Sequence, residues 1–443
     1  MKKIIYLLVL VILCTRISAQ TDTLKLSLKQ ALQLGINNRF DAKGNNLDID
    51  LAHNQLVKSN KELLPDISAS GKLTYYGQLQ PSIIPAGYLG FTEPEKIAIG
   101  MKNNTALSLD LNYPIYKPGL YTDIKIASNN LDLEKEKNNK SDINIKIEIA
   151  EAYNNVLLKS LQYDIAQKNE SRYKEYYELA KGKYDNGALL ESDMLLAELD
   201  YKNAVANTSQ QKQNYLLHIQ NLKYKINVSD QSVIILIDSL ESLFDTNVKP
   251  EQLSNTSSNR SEIKQLTIEQ AGYELQFKKA KQNYLPSLSL FANYTEFFQG
   301  SAFNYSDNFF WAPVNYIGVK LSIPITGSVK NINSVKEYQL KLVQNSLMLK
   351  QKILDVQYEV QDALTKLDNA KQNITIAKDN YQLSQKVYES KKQQYSLGSF
   401  SYEKLLDTEK SLTTAEQSYI TSVYDFMIAK ISLQKAKGEY NYK

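Results

Sequence analysis

Near its C-terminus the chain reads Lys391-Lys-Gln-Gln-Tyr395-Ser-Leu-Gly398-Ser399-Phe400-Ser-Tyr-Glu-Lys404-Leu-Leu-Asp407. Roughly sixty residues of proline-free, helix-forming sequence lead into this stretch and about forty follow it. Gly398 marks where one helix stops, because glycine takes the left-handed C′ conformation at no steric cost. Ser399 or Ser401 can cap the next helix, with Glu403 or Lys404 opening its first turn. The stretch therefore reads as the tip of a long antiparallel helical hairpin. The same tip stands 211 residues earlier, as Tyr184-Asp-Asn-Gly187-Ala188-Leu189-Leu-Glu-Ser192-Asp193. A duplicated tip predicts a duplicated architecture.

Working outward from the first tip, residues 27–64 predict helix, with a break at Asn37-Asn38 and a stop at Pro65. Ile67, Ala69, Gly71, Leu73 and Tyr75 then alternate with polar neighbours, the two-residue period of a strand. A loop with Pro81, Pro85 and Pro94 leads to a second alternation, Leu107, Leu109, Leu111, Tyr113 and Ile115. Beyond Lys117-Pro118-Gly119 the period is helical, with one seam through Ile143, Ile147, Ala150, Leu157 and Leu161 and another through Ile145, Ile149, Ala152, Val156, Tyr163 and Ala166. Two seams give a helix neighbours on two sides, as in a cylinder of helices. The return helix runs from about Leu190 to Ile226, and residues 227–259, with Val233-Ile-Ile-Leu-Ile237, read as a connector.

The second half repeats the first. A helix from Arg260 stops at Pro286, Leu288, Leu290, Ala292 and Tyr294 alternate, and an aromatic loop from Phe297 to Trp311 leads to Ile317, Val319, Leu321, Ile323 and Ile325. A helix from Val329 then reaches the second tip. The final helix carries an unbroken heptad, Leu412, Ala415, Tyr419, Ser422, Phe426, Ala429, Leu433, Ala436 and Tyr440. The two helices that lead into tips would each be about 100 Å long. The organisation is thus a first repeat over 20–226, a connector over 227–259 and a second repeat over 260–443. The strand pairs fall in 66–116 and 287–326.

The fold class is mainly α with a small β part, and 16 Gly and 10 Pro in 443 residues suit long helices rather than many short ones. Residues 1–19 have the form of a secretory signal peptide, with Lys2-Lys3, an apolar run over Ile4–Leu13 and a small residue at Ala19. Cys14 is the only cysteine, and the bulky Leu13 before it argues against a lipoprotein signal. Without Lys2, Lys3 and Arg16, the basic residues number 49 against 48 acidic, a balance that gives no reason to expect nucleic acid as a partner. After the signal no apolar run is long enough for a membrane helix, so a membrane would have to be met through strands.

Four strands of this length suit an outer-membrane bilayer. Four cannot close a barrel, and open edges are not tolerated in lipid. The chain must therefore oligomerise: a dimer would give eight strands and a filled barrel, a trimer twelve and a lumen. The alternation predicts Leu109, Leu111, Val319 and Leu321 on the lipid side, with Asp110 and Lys320 on the lumen side.

On these motifs the chain resembles the TolC family of outer-membrane efflux and secretion channels over nearly all of its mature length. The carriers are the duplicated Leu64-Pro65 and Leu285-Pro286 joints and the duplicated Tyr-x-x-Gly tips. The repeat openings Leu26-Ser-Leu-Lys-Gln-Ala31 with Asn37-Asn38, and Asn259-Arg-Ser-Glu-Ile263, also fit. The resemblance implies a homotrimer whose twelve-strand barrel continues into a periplasmic helical tunnel, docked to a periplasmic adaptor and an inner-membrane pump. It also implies a gate at the periplasmic end, with Tyr395 and Asp193 as a linking pair and Asp407 in an acidic ring. Phe400 stands where the family pattern has a basic residue that would link towards Ser192, and Lys404 stands where it has a second acid. The tip loops, Gly187, Ala188, Leu189, Gly398 and Ser399, would meet the adaptor.

No enzyme is legible. His53 and His218 stand singly in helical sequence, without a second ligand at a metal spacing, and there is no phosphate loop or nucleophile elbow. No cofactor is expected. The aromatic loop reads as an interfacial girdle or a cell-surface patch. The competing class is an exported trimeric coiled-coil scaffold or adhesin without a pore, which explains the heptads but not the strand pairs. The cargo, whether drug, metal ion, peptide or protein, is not legible.

Overall fold

In the computed structural model, residues 23–239, 260–438 and 440 are described. The expected signal peptide and the later part of the connector lie outside them. The elements run β1 (Thr23–Leu26), α1 (Leu28–Asn38), α2 (Phe40–Lys61), β2 (Asp66–Tyr75), β3 (Pro81–Ile84), β4 (Glu95–Ala98) and β5 (Asn103–Tyr116). Then follow α3 (Leu120–Asp185), α4 (Glu191–Ile226), β6 (Val233–Leu236), α5 (Ser261–Gln282), β7 (Ser287–Gly300), β8 (Trp311–Ser322), α6 (Gly327–Ser396) and α7 (Tyr402–Lys437). None of the described helices is long and apolar enough to cross a membrane.

The residues gather into two compact units, each drawing on both sequence repeats. Among the described residues, one comprises 23–48, 135–239, 260–265, 349–438 and 440. Its core is mostly aliphatic, with Ile145, Ile149, Val156, Leu222 and Val356 buried beside the aromatic Tyr153 and Phe426. Every position of the α7 heptad is buried or half-buried. Ser27 starts α1 with a capping box: its hydroxyl accepts from the Gln30 N–H at 3.3 Å, and the Gln30 side chain accepts from the Ser27 N–H at 2.9 Å.

Two features of this unit are absent from the sequence reading. The apolar run at 233–237, read as part of a connector, forms β6 and pairs in parallel with β1, Thr23 opposite Val233 through Leu26 opposite Leu236. Asp238 ties that pair to the helices, accepting from the Leu28 N–H at 2.8 Å and from the fully buried Tyr153 hydroxyl at 2.9 Å. The second feature is a duplicated basic hub. Arg39 pairs with Asp41 and, at 3.0 Å, with Glu148. Arg260 pairs with Glu262 at 3.1 Å and with Glu359 at 2.8 Å. Arg39-x-Asp41 and Arg260-x-Glu262 are thus the same device in the two repeats. Burial and the short reach to Arg39 act oppositely on these acids. In Asp41 the hydrogen bond from Arg39 dominates and lowers the carboxyl below its ordinary value. In Glu148 burial pushes upward, but Lys225 and Arg39 together outweigh it.

The other unit comprises residues 49–134 and 266–348. Its centre is a four-stranded antiparallel sheet in the order β2-β5-β7-β8. The β5–β7 pair joins the strands of one repeat to those of the other, from Asn103 opposite Gly300 to Tyr116 opposite Leu288. The register shifts between Pro114 and Tyr116, where a proline without an N–H interrupts the ladder. The strands outrun their apolar alternation. β5 begins at Asn103, and β7 continues through Phe297 and Phe298 to Gly300. The expected aromatic loop is therefore shorter than 297–311, since Phe297 and Phe298 lie in β7 and Trp311 opens β8. Likewise the proline-containing loop after β2 holds a small hairpin, β3 with β4. Side chains cannot signal these extensions, because a ladder is held by backbone groups whose pairing is set by the partner strand.

At both tips the turn is the same Schellman motif. Gly187 N–H bonds Tyr184 O at 2.8 Å and Ala188 N–H bonds Lys183 O at 2.8 Å. Gly398 N–H bonds Tyr395 O and Ser399 N–H bonds Gln394 O, both at 3.0 Å. The glycines have φ of 73° and 77°, and a Cβ at either would meet nothing within 4 Å. Any substitution cost is therefore one of backbone conformation alone. Gly187→Ala and Gly398→Ala should each cost about 1–2 kcal/mol, read as a shift in the urea midpoint of helix loss. Gly→Asn at the same sites should cost clearly less, and equal costs for alanine and asparagine would show that the left-handed geometry is not what the glycines supply.

Candidate functional site

The two tips bring together most of the residues singled out in the sequence. Tyr395 is 5% exposed, and its ring centroid lies 4.4 Å from Lys183 Nζ and 6.2 Å from the ring of Tyr402. Phe400 lies under Lys391, with the ammonium 4.8 Å from its centroid. Each tip aromatic thus rests against a lysine from a helix end, a cation–π contact in both cases. Among the described residues no hydrogen bond joins Tyr395 to Asp193, which is half-buried in the first turn of α4. Burial holds the Tyr395 phenol above its ordinary value, so it stays protonated. Ser192 and Lys404 are exposed. Ser401, rather than Ser399, is the N-cap of α7, without a side-chain bond. Ser399 instead donates from its hydroxyl to Gln394 O at 3.0 Å.

Asp407 is exposed on α7, where it lines a groove of about 310 Å³ with Leu383, Ser384, Val387, Thr408 and Ser411. Behind the tips lies a second core, separate from the aliphatic one and rich in tyrosine. Tyr176, Tyr388, Tyr395 and Tyr402 are buried in it with Leu405, Leu406 and Leu412. It also holds an ion pair that the sequence reading missed. Arg172 Nε stands 2.6 Å from Glu409 Oε1, and the Glu409 side chain is 0% exposed. Charged residues in a coiled-coil sequence read as solvated faces by default, and nothing local marks this pair as an exception. His218, within α4, has Nδ1 2.8 Å from Asn214 O, and His53 is exposed on α2.

In the sheet, the register places Leu109 beside Ala69 and Tyr294, and Leu111 beside Ile67 and Ala292. Val319 stands opposite Leu290 and Leu321 opposite Leu288. Directly opposed residues share a face, so Leu109, Leu111, Val319 and Leu321 lie on one apolar face with Ile67, Leu107 and Ile317. That face is bare in the single chain: Leu109 is 51%, Val319 59% and Ile317 74% exposed. Asp110, Asn293, Thr295 and Lys320 lie on the other face, where the Asn293 amide donates to Asp110 at 2.8 Å and the Thr295 hydroxyl to Ser108 at 2.8 Å. β2 and β8 are the sheet's two edges. At the Gly300–Trp311 turn, Phe298, Tyr305 and Trp311 cluster, with Phe298 fully buried and Phe309 86% exposed.

A family model described as outer membrane efflux protein matches residues 31–226 and 253–439. No curated protein matches the sequence. Among solved structures, the chain resembles CusC at a TM-score of 0.77 and 18% identity, with 95% of this chain and 94% of that one covered. It resembles the CmeC outer membrane channel of Campylobacter jejuni at 0.72 and 16%, covering 93% and 85%. The open state of the MtrE outer membrane channel of Neisseria gonorrhoeae gives 0.72 and 14%, covering 93% and 89%. At these identities the likeness is one of fold.

Proposed function

The chain belongs to the outer membrane efflux protein family, and from that premise we propose that it is the outer-membrane channel-tunnel of a tripartite efflux or type I secretion assembly. The observation that carries the reading is the four-stranded sheet, with one bare apolar face, one polar face and two unpaired edges. In lipid each unpaired backbone group costs several kcal/mol, so β2 of one copy pairs with β8 of the next until the ring closes. Three copies give twelve strands and a polar lumen lined by Asp110 and Lys320. The helical hairpins then extend into the periplasm, where Gly187, Ala188, Leu189, Gly398 and Ser399 meet an adaptor fed by an inner-membrane pump. The chain conducts passively and carries out no reaction.

The gate lies at the tips. Three exposed Asp407 side chains converge near the axis as an acidic ring, with Ser192, Asp193 and Lys404 in the adjoining polar surface. Tyr395 and Phe400, already packed under lysines of their own chain, hold each tip in shape. Planar-bilayer recording of the detergent-purified oligomer tests both levels. Discrete conductance from a trimer supports the channel, a trimer that never conducts favours the scaffold, and a stable folded monomer counts against both. Asp407→Ala should weaken block by multivalent cations from the tip side by about tenfold, which corresponds to about 1.4 kcal/mol, without changing trimer yield. Unchanged block would remove Asp407 from the gate.

A further inference from the structure

Along the sheet, away from the helices, the apolar face carries no charge until Glu296. That residue stands opposite Leu107 of β5 and Pro313 of β8, one row beyond Leu109 and Tyr294. Opposed residues share a face and successive ones alternate. Glu296 therefore lies on the face of Leu109, Leu111, Val319 and Leu321, while Asp66, Lys72, Asp110 and Lys320 lie on the other. Among the paired residues of the four strands it is the one carboxylate or cation on that face. Its hydrogen bond comes from the Tyr294 hydroxyl, on the same strand and face. Among the described residues no lysine or arginine pairs with it.

The next row outward holds Thr105, Phe298 and Trp311. Leu107, Leu109 and Ile317 are bare on this face, yet Phe298 is fully buried. What covers it is the turn between β7 and β8, at the end away from the helices. The Phe298 ring centroid lies 4.8 Å from that of Tyr305, 5.5 Å from Trp311 and 6.1 Å from Phe310. The Tyr305 hydroxyl is 2.9 Å from that of Thr105, and the Trp311 indole N–H donates to Tyr305 O at 3.1 Å. The turn is thus folded down onto the apolar face and pinned there, rather than laid across the polar one. Tyr294, Tyr305 and Phe309 keep exposed ring surface.

A carboxylate is costly in hydrocarbon, and tyrosine and tryptophan gather where hydrocarbon gives way to headgroups. The aromatic turn places Glu296 at that boundary, with a charge that its own chain does not pair. A carboxylate beside exposed aromatic rings suits an ammonium: the acid accepts charge-assisted hydrogen bonds and the ring faces attract the cation. We propose that Glu296, with Tyr294 and the outer turn, forms a site on the lipid side of the barrel for a lipid headgroup carrying a primary ammonium. A headgroup whose only charge is its phosphate would meet the carboxylate as a like charge. The proposal rests on the channel reading, which turns this face to lipid.

Trp311 is the only tryptophan of the chain and stands one row from Glu296, so its fluorescence reports on the lipid at this site. The test uses the intact trimer in phosphatidylcholine vesicles that contain a minor fraction of phosphatidylethanolamine or of phosphatidylglycerol. Only the minor lipid carries bromine on its acyl chains, where it quenches tryptophan on contact. Brominated phosphatidylethanolamine should quench Trp311 as though enriched roughly threefold over its share of the bilayer, the order of an exposed ion pair, and brominated phosphatidylglycerol should not. Glu296→Gln, which keeps the shape without the charge, should abolish the difference at unchanged trimer yield. Equal quenching by the two lipids in the wild type, or the same preference in Glu296→Gln, overturns the proposal. So does a preference for phosphatidylglycerol that appears only with magnesium, the signature of a divalent bridge. Quenching of Trp311 by aqueous iodide and by neither lipid would instead show that this face does not meet lipid, and would count against the reading on which the proposal rests.

Discussion

Arginine in place of Val319 or Leu109 should destabilise the inserted oligomer by about 2–4 kcal/mol, the cost measured for a cation on the lipid face of a barrel near mid-depth. Both residues stand mid-strand on the face shared by all four strands, Leu109 between Ala69 and Tyr294 and Val319 opposite Leu290. Their exposure in the single chain is what a lipid-facing residue requires, and burying a guanidinium in hydrocarbon is what the substitution would demand. One residue along β5 the outcome should differ. Asp110→Arg forfeits the 2.8 Å bond from Asn293, about 1 kcal/mol, and otherwise places a charge among polar neighbours facing water. Urea unfolding of the lipid-inserted trimer, followed by its heat-modifiable migration, would separate the two. If Leu109→Arg and Asp110→Arg are tolerated equally, the apolar face does not meet lipid.

The second large effect falls on Arg260, a residue far less exposed than its position at the start of α5 implies. Its side chain is 6% exposed. It donates to Lys435 O and Ala436 O at 3.0 and 2.9 Å, carbonyls in the last turn of α7, the first of which also accepts from the capping Gly438 N–H. Its other nitrogens reach Glu262 and Glu359. Arg260→Met leaves those carbonyls and acids without their cation. Breaking a buried pair costs about 3–5 kcal/mol, and because Glu359 is itself 41% exposed and regains water, the expected loss is at the lower end, about 3 kcal/mol. Arg39→Met removes the matching hub of the first repeat, but there the partners Asp41 and Glu148 are 51% and 42% exposed. Solvent already screens that contact, so about 1 kcal/mol is expected. Arg260→Lys should fall between, since an ammonium cannot span two carbonyls and two carboxylates as the guanidinium fork does. Thermal melts of the helical signal give the order directly. An Arg39 variant as damaging as the Arg260 variant would show that burial is not what sets the cost.

What the amino-acid sequence determined by itself was everything with a local period or a local punctuation mark. The helical seams through Ile145–Ile149 and Leu412–Tyr440, the stops at Pro65 and Pro286, the left-handed glycines at 187 and 398, and the alternation in 107–115 and 317–321 all act within a few residues of themselves. Their duplication carried the architecture, and the four short strands carried the expectation of a partner chain. What only the tertiary structure decided was long-range. The β1–β6 pair joins segments 210 residues apart, and four-residue strands have no periodicity that could announce a partner. The extra reach of β5 and β7 is held by backbone bonds to which side-chain patterning is blind. The tip core followed the same rule. Tyr395 and Asp407 were singled out by the family resemblance, counted from Gly398, but Glu409 is one of 48 acidic residues. It became a buried charge only when α3 brought Arg172 to it from 237 residues away, because the environment of a side chain is set by packing between helices and not by its neighbours in sequence.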